Sequence, residues 1–313
     1  MIIKAILGGF DNVLSAITST VNDDFVRQLP TITDHSHSIN TLTERFNQLV
    51  LQGESVVYTS NGLHYPGPNI VAIEFILIAA GAGGGSGRWD VLTDKRCGGG
   101  GGGGAGETHF VVPSAMLDKE PDGRYSPIPI VIGAHGDGGP SSGLAGSGGG
   151  NTYIGSGTNA MLAGGGVGGQ STFTTSGSPG GPGGVGMIPG GDGGRGAVGQ
   201  PVTSTAGANS VSPYSLNGGG GGGGGGGNDI WPGSQGGAGG ISRGGIPDAD
   251  GSAPSSWAAT GAGGGGGSVD DAGQAGTGAF PGGGGGGGGG GVTASTPGKP
   301  GGNGIAFVIE HMT

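Results

Sequence analysis

The sequence has few charged residues, few aromatic residues, one cysteine and no long hydrophobic run. Charged residues make up 10% of the 313 residues, and 11 Lys and Arg stand against 21 Asp and Glu, which gives a net charge of −10. Because nucleic-acid binding needs basic residues to neutralise phosphates, no nucleic-acid partner is expected. The single cysteine, Cys97, excludes an intrachain disulfide framework and a cysteine-based zinc site. The longest apolar stretch, Ile70 to Ala80, contains Glu74 and is too short for a transmembrane helix, so no membrane insertion is expected.

What the sequence has instead is glycine, which accounts for 89 residues and forms unbroken runs at 218–227 and 282–291. A glycine run has no side chains to bury, so only its backbone can hold it in place. Ordering it costs roughly 1–2 kcal/mol of backbone entropy per residue, which makes a flexible linker the first alternative. The second alternative is a bundle of extended helices of the polyproline II type, whose outward-pointing N–H and C=O groups bond to one another. The runs are interrupted irregularly, and the Gly-X-Y phasing of collagen is not expected to persist.

Apolar, β-branched segments flank the glycine runs and predict a β framework. Strands are predicted at 55–59, 70–78, 108–112, 128–132, 171–173 and 305–309. These segments supply the concentrated apolar area, worth about 25 cal/mol per Å² buried, that a marginally stable glycine bundle lacks. We therefore favour the bundle over the linker. The predicted fold is mostly β and irregular, with packed polyglycine II helices framed by β-strands over residues 54–313.

Residues 1–53 have an ordinary composition and predict a separate helical segment for attachment and oligomerisation. A first helix is indicated by apolar residues at helical spacing: Phe10, Leu14, Ile17 and Val21. A second helix carries the a/d spacing of a coiled coil: Ile39, Leu42, Phe46 and Leu49. We interpret it as a short parallel trimeric coiled coil, which makes the chain a homotrimer. The alternative is a surface helix packed on its own domain.

A pair of histidines, His35 and His37, lies just before the coiled-coil seam. In a single chain, two histidines at this spacing are usually exposed loop residues. In a three-fold bundle, three copies would bring six imidazoles around one axis, and imidazole is a good ligand for iron, nickel or zinc. The hypothesis is a transition-metal ion, iron or similar, shared by three chains. No other cofactor is expected.

Aromatic and apolar residues in the segments that interrupt the glycine runs are the candidate recognition residues. Aromatic side chains on loops held by a stiff scaffold are suited to bind sugar or protein on a cell surface. The alternative is that each tryptophan packs against the glycine region and covers it. The candidate residues are Trp89, Tyr214, Ile230, Trp231, Trp257 and Phe280.

Enzymatic signals are absent from the sequence, so no enzyme is expected. With this much glycine, any G-x-G-x-x-G match is chance, and no G-K-[ST] follows to form a phosphate loop. The histidines outside the His-x-His pair lack a serine or cysteine in the context of a nucleophile elbow.

The order of elements from Pro66 to the C-terminus resembles the glycine-rich domain of bacteriophage tail fibres and tail-tip adhesins. The resemblance rests on these stretches: Pro66–Ile70 before a strand that ends in Ala80–Gly85, Ile130–Gly133, Gly169–Phe173, and the closing Gly301–Ile309. The stretch Asp34–Ile39 is similar to the His-x-His motifs of tail-fibre shafts, where three chains jointly bind a metal ion. The chain departs from the pattern at Ala134-His135 and in longer inserts at 88–97 and 118–126.

The resemblance implies a virion protein of the phage tail, assembled in the host cytoplasm. Its N-terminal segment would dock to other tail or baseplate proteins. Its glycine-rich region would recognise a bacterial surface glycan or outer-membrane protein during host adsorption. The alternative is a structural spacer or joint of the tail without direct receptor contact. A third interpretation, an ice-binding glycine-helix protein, is weaker, because such proteins need regular triplets that form a flat face and this chain lacks them.

Overall fold

The strands form where the sequence is apolar and β-branched, and they flank the glycine segments. The computed structural model describes residues 55–92, 95–155, 160–172, 177–198, 202–210, 218–227, 243–254, 260–267 and 273–312. The strands among them are β1 Ser55–Tyr58, β2 Gly62–His64, β3 Ile70–Ile78, β4 Glu107–Pro113, β5 Ile128–Val131, β6 Thr152–Ile154, β7 Met161–Ala163 and β8 Ile305–Met312. A 3-10 turn, Ser114–Met116, follows β4, and the described residues contain almost no other helix. The described part of the chain is therefore mostly β and irregular.

The strands pair antiparallel in two sheets. The first sheet has the order β1-β8-β3-β4, and the second has the order β2-β5-β6-β7. Within the first sheet, the buried Phe75 of β3 stacks on its cross-strand partner Phe110 of β4 with 5.2 Å between ring centroids. On the same face of β4, the hydroxyl of Thr108 donates to the carbonyl of Leu162 in β7 at 3.0 Å. The strand region is thus a small β-sandwich with a conventional apolar core.

Most of the predicted strands are confirmed. The structure places strands at 55–58, 70–78, 107–113, 128–131 and 305–312. The strand predicted at 171–173 is wrong for Ser171 and Thr172, which form no strand, and Phe173 lies outside the described residues. Strands β2, β6 and β7 were not predicted because three residues are too few to establish an alternating pattern. The predicted helices of residues 1–53 also lie outside the described residues.

The strands continue directly into glycine segments, and the hydrogen-bond pattern changes there. Segment 79–87, which follows β3, keeps the continuation of β4 as its neighbour, but it donates at every third residue: Ala79 to Gly106, Ala82 to Gly103 and Gly85 to Gly100, at 2.8–3.1 Å. The residues in between donate to two other segments. Ala80 and Gly83 donate to segment 144–150, and Gly81 and Gly84 donate to segment 296–302. One segment therefore bonds in three directions, whereas a strand bonds in two.

The same period of three recurs throughout the glycine region. Segment 98–106 donates to three neighbours, the segments 164–170, 190–197 and 282–288. It accepts from three others, the segments 79–85, 181–184 and 219–225. Run 218–227 donates in rotation to 99–105, 261–267 and 205–208. Backbone groups thus satisfy one another in three dimensions without a side-chain core.

The two sheets meet in the glycine region. Packed sheets normally lie about 10 Å apart because side chains separate them. Here Ala80, which follows β3 of the first sheet, donates to Gly150, which precedes β6 of the second, at 3.1 Å. Gly166, which follows β7, donates back to the carbonyl of Ala80 at 3.1 Å. Because glycine and alanine have no large side chains, the continuations of the two sheets approach to hydrogen-bonding distance.

Glycine is required sterically in the middle of this network. A Cβ built on Gly222 would overlap the carbonyl oxygen of Gly285, and a Cβ on Gly101 would overlap that of Gly222. At the periphery the space opens, and the nearest atom to a Cβ on the exposed Gly148 is the carbonyl oxygen of Gly166 at 3.3 Å.

At the periphery, side chains occur once in three residues. Between 179 and 195 the outward positions carry Pro179, Pro182, Val185, Pro189, Asp192 and Arg195. The triplet spacing holds over 179–185 and again over 189–195 but is broken between them, because each short segment at the surface has one face where a side chain fits. Polar side chains there also replace a missing neighbour: Asp192 Oδ1 accepts from the N–H of Gly183 at 2.7 Å, and Asn151 Oδ1 accepts from that of Gly165 at 3.0 Å.

Candidate recognition site

A loop at the end of the glycine segments farthest from the strands carries Trp89. The chain leaves segment 79–87 at Arg88 and returns at Cys97, and two backbone hydrogen bonds close the loop. Arg88 N–H donates to the carbonyl of Cys97 at 2.7 Å, and Cys97 N–H donates to that of Arg88 at 3.3 Å. We call residues 88–97 the Trp89 loop; residues 93 and 94 lie outside the described residues.

The buried guanidinium of Arg96 holds the Trp89 loop in shape. Only 5% of Arg96 is exposed. Its Nε donates to the carbonyl of Asp90 at 2.7 Å, and its terminal nitrogen donates to the carbonyl of Val91 at 3.3 Å. The carboxylate of Asp90 in turn accepts from the N–H of Leu92 at 2.9 Å. A charged group that bonds to loop carbonyls from inside fixes the backbone and leaves the outer face free for contacts.

The outer face of the Trp89 loop is apolar. Trp89 is 47% exposed, Val91 72% and Leu92 50%. Single exposed apolar residues are common on soluble proteins, but a group of them on one fixed loop marks a site of interaction. Trp89 is thus neither buried against the glycine region nor fully free, and its ring is available for stacking or apolar contact.

A second loop, residues 140–144, forms the other wall of a cleft next to Trp89. Trp89 N–H donates to Ser142 Oγ at 3.4 Å, and Ser86 Oγ donates to the carbonyl of Leu144 at 3.0 Å. The cleft has a volume of about 590 Å³ and is lined by Arg88, Trp89, Asp90, Val91, Ser142 and Gly143. It offers one cation, one anion and one hydroxyl around an aromatic ring. Such a set can bind a polar ligand that also has an apolar face.

The predicted recognition residues do not all come together. Trp89 lies at the tip, whereas Phe280, 36% exposed, lies beside Gly282 at the opposite end of the glycine segments, where the strands begin. Four others lie outside the described residues: Tyr214, Ile230, Trp231 and Trp257. His35 and His37, the predicted metal ligands, also lie outside them. No group of three or more His, Cys, Asp or Glu that could hold a metal ion occurs in the part of the chain that the structure describes.

Sequence reasoning missed the contributions of Ser142 and Leu144, and it missed the role of Arg96. The signal was present, because both loops interrupt glycine segments. This signal could not be used without the alignment of neighbouring glycine segments, because that alignment decides which of the interrupting loops lie at the same end. Cys97 adds no chemistry at the tip, since burial raises the pKa of its thiol and keeps it neutral.

A buried carboxylate lies in the strand region, far from the tip. Glu107 is buried, and its Oε1 bonds to Nε2 of His109. Its second oxygen, Oε2, has no hydrogen-bond partner among the described residues. Burial raises the pKa of Glu107, while the interaction with His109 acts in the opposite direction. This pair has two titratable members and no nucleophile, and it reads as a structural feature of the edge strand β4.

No protein-family model and no curated protein matches the chain. The described residues include no helix with the length and hydrophobicity needed to span a bilayer.

Proposed function

We propose that the protein is a bacteriophage tail fibre or tail-tip protein that recognises a receptor on the bacterial surface during host adsorption. The observation that supports this most directly is the Trp89 loop, a fixed apolar loop at the far end of a backbone network. A virion location and attachment to tail or baseplate proteins through residues 1–53 belong to the same proposal.

The scaffold we propose is a bundle of polyglycine II helices. A helix with three residues per turn turns successive N–H groups by about 120°, so one helix bonds to three neighbours in rotation. The rotation of partners along run 218–227 supports this arrangement. Each lateral bond contributes only about 0.5–1.5 kcal/mol, so the bundle depends on many bonds and on the β-sandwich beside it.

A stiff scaffold favours binding because the loops are ordered before the receptor arrives. Association otherwise loses about 0.5–1.5 kcal/mol for each flexible side chain that becomes fixed at the interface. The Trp89 loop, closed by backbone bonds and held by Arg96, avoids part of that loss. Tryptophan is among the residue types that most often dominate binding energy.

The oligomeric part of the proposal concerns residues 1–53. We propose a homotrimer formed through the seam at Ile39 to Leu49, with His35 and His37 of three chains around one transition-metal ion. Light scattering and metal analysis of the intact protein test both. A trimer that contains iron, nickel or zinc is expected, and a metal-free protein, or a His35→Ala variant with unchanged thermal stability, would contradict the metal site.

Binding of the labelled intact protein to a panel of bacterial strains tests the function. On a strain that binds, Trp89→Ala is expected to weaken binding by about tenfold or more. Val185→Ser, at an exposed position on the flank of the glycine region, serves as the matched control and is expected to bind normally. Equal binding by the Trp89 and Val185 variants would contradict recognition at the tip. If no strain binds and other tail proteins cover the tip in the virion, the spacer function is correct instead.

A further inference from the structure

A groove lies at the end of the β-sandwich farthest from the Trp89 loop. Its volume is about 810 Å³, and its walls are the loop 65–68 and the hairpin 119–125. The hairpin has a fixed turn: Glu120 N–H donates to the carbonyl of Arg124 at 2.8 Å, and Gly123 N–H donates to that of Glu120 at 2.9 Å. Gly123 has φ +86°, which favours glycine at this position. We call this the Tyr65 groove.

A buried polar network fixes the loop wall of the Tyr65 groove. Glu310 Oε1 accepts from the N–H of Gly67 at 3.0 Å and bonds to His64 Nε2 at 2.9 Å. The other ring nitrogen of His64 lies 3.3 Å from the hydroxyl of Tyr58. His64 is only 3% exposed. Burial of such groups is costly unless each is paired, and here the pairing positions the loop that carries Tyr65.

Tyr65 is the open aromatic platform of this groove. It is 68% exposed, although His64 before it and Gly67 two residues after it are both held by Glu310. The second tyrosine is different, because the ammonium of Lys119 lies over the ring of Tyr125, 4.8 Å from its centroid. The groove therefore has one free aromatic face and not a row of them. Grooves that bind proline-rich peptides are lined by several open aromatic rings, so this arrangement does not suit such a peptide.

The charges around the groove cancel. The hairpin contributes two cations, Lys119 and Arg124, and two anions, Glu120 and Asp122. Arg124 and Asp122 pair with each other at 2.6 Å. A groove without net charge does not select an ion, but its carboxylates and cations can accept and donate hydrogen bonds. Charge complementarity therefore points to an uncharged ligand with many hydroxyl groups.

We propose that the Tyr65 groove binds a neutral oligosaccharide, independently of recognition at the Trp89 loop. One sugar ring stacks its apolar face on Tyr65, and its hydroxyls bond to the polar side chains of the hairpin. The prolines of the walls, Pro66, Pro68, Pro121 and Pro127, keep the groove in one shape.

Saturation-transfer NMR of the full chain with maltohexaose, cellohexaose and mannohexaose tests the site. At least one of these saccharides is expected to bind, with an affinity about tenfold weaker in Tyr65→Ala. Tyr65→Phe, which keeps the ring, is expected to retain binding. Trp89→Ala is expected to bind the saccharide normally, which separates this site from the proposed receptor site.

Three results would overturn the proposal. The first is the absence of binding by all three saccharides at millimolar concentration. The second is equal binding by Tyr65→Ala and the wild type. The third is displacement of the bound saccharide by a proline-rich decapeptide at lower concentration, which would assign the groove to peptide binding. Because Tyr65 is exposed, circular dichroism of Tyr65→Ala is expected to match the wild type.

Discussion

In the strand region side chains such as Phe75 are fully buried, whereas in the glycine region the continuations of the two sheets donate hydrogen bonds to each other. The first region is held by apolar burial and the second by peptide groups. The strand region should therefore lose stability when atoms are removed from it. The glycine region should lose stability when atoms are added.

Truncation of the sandwich core is expected to have the largest effect. Phe75→Ala removes a ring that is fully buried, and the loss of burial plus the cavity is expected to lower the free energy of unfolding by about 3–5 kcal/mol. Val71→Ala on the exposed face of the same strand is expected to cost less than about 1 kcal/mol. Chemical denaturation measures both. Similar losses in the two variants would contradict an apolar core at this position.

Addition of one methyl group inside the glycine region is expected to be almost as harmful. Gly222→Ala places a Cβ on the carbonyl oxygen of Gly285, and the resulting backbone shift is expected to cost on the order of 3 kcal/mol. Gly148→Ala is the matched control, because its nearest neighbour is at 3.3 Å. Thermal unfolding distinguishes them. If Gly222→Ala were as stable as Gly148→Ala, the close approach of the segments would be refuted.

Neutralising the buried carboxylate is expected to raise stability. Since burial raises the pKa of Glu107 above its ordinary value of 4.5, the folded state binds the proton more tightly than the unfolded state. The stability from this group is present below pH 4.5 and is lost as the pH rises through the folded-state pKa.

Glu107→Gln removes that loss, because glutamine stays neutral. Its Tm is expected to exceed that of the wild type at neutral pH, and the difference is expected to shrink as the pH falls toward 4.5. Calorimetry over this pH range measures the effect, with Glu120→Gln on the exposed hairpin as control. A Glu107→Gln variant that is less stable at neutral pH would instead assign a stabilising charge to the pair with His109.

Removal of a side chain that accepts a backbone hydrogen bond at the surface of the glycine region is expected to have the smallest effect. Asp192→Ala leaves the N–H of Gly183 to water, at a cost of about 1 kcal/mol or less. Asp192→Asn keeps an oxygen at the same place and is expected to retain stability. Denaturant titrations compare the two, and equal losses would show that the charge of Asp192, not its acceptor, matters.

Much of the strand region could be predicted from the sequence. The segment 70–78 was predicted with the bounds that the structure gives it, because eight apolar residues and Glu74, between a proline-glycine segment and a glycine run, leave few alternatives. The start of β8 was also predicted, but its end at Met312 was not, since Glu310 and His311 break the apolar run. Glu310 pairs with Ile73 of β3, and its side chain bonds to His64 and Gly67, which lie more than 240 positions away in sequence.

The candidate site was predictable only in part. Trp89 was named because it interrupts the glycine segments, and it does lie on an exposed loop. Its partner Ser142 is 53 residues away in sequence, and the two meet because segments 79–87 and 144–150 run side by side. Glycine carries no side chain to specify such a register. The Tyr65 groove was missed for a related reason, because its two walls are connections between the sheets that lie far apart in the sequence, and neither contains a recognisable motif.

The central claim is that peptide groups order the glycine segments as firmly as side chains order the strands. Native-state amide hydrogen exchange along 218–227 and 282–291, compared with β3 and β8, tests it most directly. The account predicts that the glycine amides exchange as slowly as those of the two strands, through global unfolding. Exchange of the glycine amides at the rate of an unstructured peptide, with β3 and β8 still protected, would contradict it.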